Sequence, residues 1–358
     1  MRKVRIGIVG CGGIANGKHM PSLSRLDNVE LVAFCDIIEE RAVKAKDQYG
    51  TADAKSYTDY KELLKDDSIE VIHVLTPNKS HSFISIDSLE AGKHVMCEKP
   101  MAKTTAEAKE MLATAQRTGK KLTIGYDNRC RPDSQHVAKV ARGGELGDIY
   151  MTKAHALRRR AVPTWGVFLN EEEQGGGPLI DIGTHALDLA LWLADNYKPK
   201  YVVGNVYHKL SATKDAANAF GSWNPEEFKV EDSAFGFVTM ENGATIALES
   251  SWALNTLDEG EAQVTLCGTK GGADMKDGLR INGEEYSRLY DRQIKLGSGG
   301  VAFYDGAAET EAVREARSWI DAIVNDTEPL VTPEQALVVT QILEGIYESS
   351  KTGKPVFF

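Results

Sequence analysis

A chain that runs Val4-Arg5-Ile6-Gly7-Ile8-Val9 into Gly10-Cys11-Gly12-Gly13-Ile14-Ala15, and later Leu31-Val32-Ala33-Phe34 into Asp36, has few folds open to it. A short apolar run enters a glycine cluster, a helix-like segment follows, and a second apolar run ends in an acid. The pattern reads as strand, tight turn, helix, strand, acid. Gly10 permits a turn that a Cβ would block, Gly12 lets backbone approach a pyrophosphate, and small Ala15 lets the helix sit close to the strand. Unpaired amides at the helix N-terminus, Gly13 and Ile14 among the residues there, face the phosphates. Asp36 follows Ala15 by about 20 residues, the distance at which an acid reaches the adenosine ribose hydroxyls. The alternative reading is an α/β turn that binds no nucleotide. Asp36 and Ile37 place a negative charge, and no arginine, where a 2′-phosphate would sit, which predicts NAD over NADP.

The rest of the first third repeats the alternation. Helices are expected over Glu39 to Tyr49, Tyr57 to Leu64, Ser80 to Glu90 and Thr104 to Arg117. Strands are expected over Glu70 to Leu75, His94 to Cys97 and Leu122 to Tyr126. Alternating strands and helices predict a parallel sheet with crossover helices. Ligands of such sheets bind beyond the carboxyl ends of the strands. That rule gathers Gly10 to Gly13, Asp36, Thr76-Pro77-Asn78, Glu98-Lys99-Pro100 and Tyr126 to Arg129 on one rim.

After about residue 126 the pattern changes. A helix over Gln135 to Arg142, a strand over Ile149 to Leu157, a loop over Trp165 to Gly177 and a strongly apolar helix over Ile182 to Leu193 precede a series of strands: Tyr201 to Leu210, Ser233 to Met240, Thr245 to Trp252, Ala262 to Cys267, Gly272 to Met275 and Leu279 to Ile281. Asn242-Gly243 is a hairpin signal between two of them. Helices over Glu309 to Val324 and Pro333 to Ser350 close the chain, the second opened by a Thr332 cap and Pro333. This is an α/β domain at 1–126 followed by an α+β domain at 127–358 with a large, mostly antiparallel open sheet, its closing helix able to pack back on the first domain. At 358 residues two domains are also what length alone suggests. Leu210 to Pro225 and Gln293 to Gly306 read as flexible.

Net charge is −10, and no basic run exceeds Arg158-Arg159-Arg160, which argues against nucleic acid and anionic membrane surfaces as partners. No apolar run approaches ~18 residues, so no membrane span is expected, and the chain enters its first strand without room for a leader. Five scattered cysteines without a C-x-x-C read as buried thiols in a reducing cytosol, which makes a cytoplasmic location the expectation.

Three groups carry possible chemistry. Lys99, in the rigid turn before Pro100, can hydrogen-bond a substrate hydroxyl or shuttle its proton; a solvated ion pair with Glu98 is the plain alternative. Asp181 and His185 stand i, i+4 after Gly175-Gly176-Gly177, so a helix would put them on one face. A carboxylate beside an imidazole holds its tautomer and raises its basicity. An Asp cap or a buried His–Asp pair would leave the same trace, and no third ligand of suitable spacing follows for a metal. The glycine run would let the loop approach a ligand closely. The third group is scattered: His81, Asp127, Asn128, Arg129, Arg131, His155, Arg158 and Trp165.

Taken in order, G-x-G-x-x-A, the acid ending the second strand, T-P-N-x-x-H, E-K-P and G-G-G-x-L-x-D-x-G-x-H-x-x-D resemble the Gfo/Idh/MocA family (glucose–fructose oxidoreductase and inositol dehydrogenase) along essentially the whole chain. The resemblance implies a Rossmann domain, an α+β domain whose open sheet makes a homo-oligomer contact, in a dimer or tetramer, and hydride transfer between NAD and a carbinol carbon of a sugar, glycoside or polyol. Lys99, Asp181 and His185 match the family's catalytic trio, with the roles of Lys99 and His185 exchangeable. Gly10 to Ala15, Asp36, Thr76, Asn78, His81 and Glu98 match its cofactor contacts, flanked by Ile37 and Pro77. Asp127, Asn128 and His155 fall at substrate positions of the inositol branch. That branch carries an apolar residue and an arginine where Asp127 and Asn128 stand, which argues against an inositol and for a hydroxyl-rich neutral ligand such as a hexopyranose oxidised at C3. Arg158 adds to that polar set, and Trp165 is placed to pack on the nicotinamide or on a sugar ring. Two other readings remain within reach of the motifs: an NAD-using glycosidase, and a non-catalytic regulator that binds NAD and sugar, though a regulator would not need the intact trio.

Overall fold

Ile6, Ile8 and Val9 are all buried, as a strand covered on both faces requires. They belong to β1 (Val4–Val9), which pairs in parallel with β2 (Val29–Cys35) on one side and β4 (Val71–Val74) on the other. The computed structural model describes residues 2–296 and 309–358. It divides into two units, Met1–Asp127 with Glu309–Leu337, and Asn128–Ala308 with Val338–Phe358.

The first unit is a six-stranded parallel sheet in the order β3-β2-β1-β4-β5-β6, with β3 at Lys55–Tyr57, β5 at His94–Cys97 and β6 at Leu122–Ile124. Its order reverses between β1 and β4, the switch point at which such sheets bind ligands. A π turn (Ala15–His19) leads into α1 (Met20–Leu23), and the crossovers continue as α2 (Glu39–Tyr49), α3 (Tyr60–Leu64), α4 (His81–Glu90) and α5 (Thr105–Thr118). The single helix expected over Tyr57 to Leu64 is instead a strand and a shorter helix. Asp59 is the reason: its backbone is extended and its side chain accepts the Lys61 amide at 2.8 Å, so the helix begins only after this cap. α5 keeps its expected limits because Thr104 and Glu107 close a capping box and Gly119 ends it in the left-handed region.

Helix α9 (Glu311–Val324) belongs to this first unit despite its distance along the chain. Val313, Ala316, Trp319, Ile320 and Ile323 share the buried core with Met20, Leu23 and Leu26. Each large side chain there contributes about 1.5–3 kcal/mol by leaving water.

The second unit is built on a nine-stranded sheet, β14-β13-β12-β11-β7-β10-β9-β8-β15. Its strands are β7 (Ile149–Leu157), β8 (Pro199–Tyr207), β9 (Ser233–Met240), β10 (Thr245–Ser251), β11 (Gly260–Gly268), β12 (Gly271–Asp274), β13 (Arg280–Glu285), β14 (Arg288–Gln293) and β15 (Val356–Phe357). Every pairing is antiparallel except that of β7 with β10. Strands β14 and β15 escaped the sequence reading. The first is polar and almost fully exposed, and the second is two residues long.

Helix α6 (Pro132–Arg142) precedes β7, and the short α7 (Glu171–Gln174) lies within the loop expected over Trp165 to Gly177. A second π turn (Leu179–Gly183) runs into α8 (Thr184–Ala194), nearly all of whose residues are buried, as expected of a helix apolar on all sides. In α10 (Pro333–Thr352), Ile346 reaches the sheet at Gly204 and Gly236. A Cβ on Gly236 would lie 2.5 Å from Ile346 Cδ1, so the helix can approach only over glycine.

The strand expected to reach Leu210 stops at Tyr207, because the Leu210 and Ser211 amides turn toward Asp232 Oδ2 at 2.6 and 2.9 Å. The following stretch to Pro225 is anchored: Trp223 is buried and donates to Ser211 O, and the Asn218 side chain bonds both the amide and the carbonyl of Val162. The other stretch read as flexible, Gln293 to Gly306, begins at the end of β14 and for the rest falls mostly outside the described residues.

Candidate active site

In the first unit the glycine turn divides by function. Gly10 has φ +94°, and a Cβ there would lie 2.6 Å from Leu75 O, so glycine is required by the neighbouring strand end. Cβ atoms on Gly12 and Gly13 would meet nothing within 4 Å. Their outer side is the open cradle that a pyrophosphate needs. Asp36 closes the cradle: Oδ2 accepts the Cys11 amide and Oδ1 the Ile38 amide, both at 2.9 Å, while Ile37 is 90% exposed. An acid held at this strand end suits the paired hydroxyls of an adenosine ribose and repels a 2′-phosphate. The double change Asp36→Ser with Ile37→Arg is expected to move the ratio of kcat/KM for NAD over NADP by about 10- to 100-fold toward NADP, given about 1.5–3 kcal/mol for a hydrogen bond to a charged group. An unchanged ratio would remove Asp36 from this role. Cys11 and Cys35 beside it are buried, and burial pushes both thiols up to about 12.

The rest of the rim is braced internally. Thr76 Oγ1 accepts Ser80 Oγ at 2.7 Å, and Asn78 opens a short 3-10 turn after Pro77. His81 was expected to face the cofactor. It is buried instead, with Nδ1 2.7 Å from Pro100 O and Nε2 2.8 Å from Thr76 O. Burial is the larger influence on its pKa and lowers it. Both ring nitrogens approach backbone carbonyls, and the ring ties the Thr76 turn to the Pro100 turn. Glu98 is likewise turned inward. Oε1 lies 2.7 Å from His19 Nε2 and 3.3 Å from Lys18 Nζ, and Oε2 accepts the Lys99 amide at 3.0 Å. Burial alone would raise its pKa, but Lys18 and then His19 outweigh that and hold it well below the carboxylate range.

Lys18, His19 and Glu315 were missed by the sequence reading. Lys18 Nζ reaches Glu98, Asp127 Oδ2 at 3.0 Å and Glu315 Oε2 at 2.9 Å. Asp127, read as a substrate contact, therefore carries an ion pair within its own unit. Nothing in a local window announces such a cluster, because its members come from four separate parts of the chain.

In the second unit, Asp181 lies in the π turn that leads into α8, and His185 is the second residue of that helix. Such turns concentrate at functional sites. Trp252 Nε1 donates to Asp181 Oδ2 at 3.1 Å, which sets the orientation of the carboxylate. The turn itself is held from behind. Ser250 Oγ donates to Pro178 O at 2.7 Å, and the buried Glu231 accepts the amides of Gly177 and Leu179 at 2.8 and 3.1 Å and the Tyr347 hydroxyl at 2.9 Å. Burial raises the Glu231 pKa against those donors. The glycine run has a different cause from the one expected. A Cβ on Gly176 would lie 2.0 Å from Tyr347 Oη, and one on Gly177 would lie 2.3 Å from Glu231 O. Close packing of the chain on itself requires glycine at both.

The other candidates separate by face. Ala154 and Ala156 are buried, and Ser250, the β10 partner of Ala156, touches Gly183 of the π turn. His155 and its β10 partner Glu249 must then point to the opposite face. His155 Nδ1 is 3.1 Å from Glu249 Oε2 there. The sheet thus separates His155 from Asp181 and His185. Arg158 has the other parity. Its guanidinium pairs with Glu261 at 2.5 and 2.9 Å, and burial opposes its charge while Glu261 and Asp181 outweigh burial and raise its pKa. Trp165 is about half exposed and meets Phe220 edge-on at 4.8 Å and Phe168 at 5.8 Å; Phe168 in turn packs against Trp252. Arg129 is structural: fully buried, it grips Asp188 of α8 through Nε at 3.0 Å and through Nη2, with Tyr197 Oη 3.2 Å away. Arg131 spends its guanidinium on Asp133 and Ala262 O. Asn128 opens the second unit, and its carbonyl accepts the Arg131 amide. Among the described residues no group of three or more His, Cys, Asp or Glu could hold a metal ion, and no helix is long and apolar enough to cross a membrane.

Known proteins match along the whole chain. Residues 4–126 match the GFO/IDH/MocA oxidoreductase family's NAD-binding Rossmann fold, and residues 139–358 match that family's C-terminal alpha/beta domain. D-glucoside 3-dehydrogenase of Escherichia coli (strain K12) is 35% identical over 355 residues, covering 99% of this chain and 97% of that protein. Glucose-6-phosphate 3-dehydrogenase of Bacillus subtilis (strain 168) is 34% identical over 212 residues, 58% of this chain and 57% of that one. The crystal structure of an oxidoreductase domain protein from Kribbella flavida has the same fold, with a TM-score of 0.85 at 24% identity over 100% of this chain and 99% of that one. With the open glycine cradle, the acid that closes it and both halves of the sequence in agreement, the chain belongs to the GFO/IDH/MocA oxidoreductase family and is an NAD-dependent oxidoreductase.

Proposed function

We propose that this enzyme oxidises the C3 hydroxyl of a D-glucoside to the corresponding ketone, with NAD as the hydride acceptor. The observation that carries this reading is the end-to-end 35% identity to a D-glucoside 3-dehydrogenase. A second relative whose name also specifies position 3 of a glucose ring supports the choice of carbon.

Glycine-turn amides would hold the NAD pyrophosphate and Asp36 its adenosine ribose. When bound, NAD supplies a two-electron acceptor for the hydride. Oxidising a secondary alcohol also releases the hydroxyl proton, and a base must take it as the carbon–hydrogen bond breaks. We assign that step to His185, with Asp181 fixing the imidazole and Trp252 fixing Asp181. Lys99 hydrogen-bonds the same oxygen and stabilises the negative charge that develops on it. Arg158, Asp127, Asn128 and Trp165 are proposed to bind the remaining hydroxyls and the apolar face of the ring. His155 is left out of this set because of the face it occupies.

The test is a panel of methyl β-D-glucoside, D-glucose, D-glucose 6-phosphate and myo-inositol, followed by NADH absorbance, with NMR of the product. The glucoside is expected to have the highest kcat/KM and to give a ketone at C3. A ketone at another carbon, a preference for the inositol, or release of methanol without net NADH would overturn the proposal.

A further inference from the structure

Lys18 has no part in the mechanism above, yet it pairs with Glu98, the residue directly before Lys99 in the chain. Lys18 is largely buried, with a side chain 14% exposed, and three carboxylates from three different segments meet its ammonium: Glu98 before the Pro100 turn, Asp127 after β6, and Glu315 on α9. A buried ammonium is kept charged only by such company. Burial works against it, yet Glu315, Glu98 and Asp127 together raise its pKa well above the ordinary lysine value. Glu98 is the member that matters for the reaction. It is a buried carboxylate one residue from Lys99, it accepts the Lys99 amide, and its charge and that of Lys99 attract.

An acid so close to a reacting lysine can bind the ammonium too well. It draws the side chain toward itself, away from a substrate oxygen. We propose that Lys18 is a positioning residue for Lys99: by holding Glu98 Oε1 from the π turn that follows the glycine cluster, it prevents Glu98 from capturing the Lys99 ammonium. The inference rests on the assignment of Lys99 to the substrate hydroxyl. It also accounts for an otherwise costly arrangement, a lysine buried just after the glycine turn and held by a helix from the far end of the chain.

The experiment is a double-mutant cycle of Lys18→Met and Glu98→Gln, read as kcat with methyl β-D-glucoside, alongside NAD affinity and thermal unfolding of each variant. Lys18→Met is expected to lower kcat about 10- to 100-fold, part of the effect of losing a positioned proton-transfer group, with NAD affinity retained. In the Glu98→Gln background the same change is expected to alter kcat less than about twofold, since the competing charge is gone, and Lys18→Arg is expected to rescue most of the rate. A merely structural Lys18 would lower the unfolding temperature with kcat per folded enzyme unchanged, which overturns the proposal. So does a loss of about tenfold or more on adding Lys18→Met to Glu98→Gln, a comparison that stands even if Lys18→Met alone fails to fold. If Lys99→Met keeps full turnover, it is the assignment of Lys99 that fails, and this result is read independently of the cycle.

Discussion

Replacing Lys99 with Met, or His185 with Ala, is expected to lower kcat by about 10²- to 10⁴-fold, the range for removing one positioned acid or base. NAD should bind both variants with little change, because the cradle at Gly12 and Gly13 and the carboxylate of Asp36 do not involve either side chain. Turnover measured at saturating glucoside, with NAD affinity measured by fluorescence titration, separates the two effects. If either variant keeps near-normal kcat, its assignment is wrong. A fall in affinity for NAD with kcat preserved would instead make Lys99 a cofactor contact. Asp181→Asn should act in the same direction but less severely if Asp181 works by holding the imidazole. Trp252→Phe, which removes the donor to Asp181 Oδ2 and leaves the ring packing against Phe168 and Phe228, should lower kcat by a smaller factor still.

The second large effect is on stability. Arg129→Met is expected to destabilise the second unit by about 3–5 kcal/mol, because it strands the Asp188 carboxylate in the core of α8 without its counter-charge. Substituting both partners, Arg129→Met with Asp188→Leu, should recover most of the loss, since a buried pair replaced by apolar groups of similar size costs little. The check is chemical denaturation followed by tryptophan fluorescence, with Trp192 reporting directly: the Arg129 guanidinium stacks 5.7 Å from the centre of its ring. A midpoint unchanged in the single variant would show that Asp188 finds another partner or water there, and that the pair does not hold α8.

Much of this was legible in the chain. Most of the first unit could be read because its elements carry their own punctuation: the Gly10 turn, Gly119 after α5, the acid at the end of β2. Lys99, Asp181 and His185 could be singled out because their motifs are short and local. The edge strand β3 was less legible, because three residues of mixed burial have no period to detect. His155 is instructive in another way. Its alternation along β7 is plain in the sequence, but which face of β7 receives α8 is decided only when Ser250 meets Gly183.

The sequence by itself determined that a parallel α/β sheet is followed by a mostly antiparallel one and that the first carries a dinucleotide cradle for NAD, and it supplied the residues of the proposed catalytic set, because these rest on backbone freedom at glycine, on strand and helix period, and on residue chemistry at short spacing. Only the tertiary structure decided what those residues lean on. Lys18, Glu98, Asp127 and Glu315 lie far apart along the chain and converge through the packing of α9 on α1. Gly176 and Gly177 take their meaning from Tyr347 and Glu231. His81 and Arg129 hold turns and helices together. The physical reason is that a charge or a glycine records a need for a partner or for space, while the identity of the partner is set by contacts between segments that no local pattern encodes.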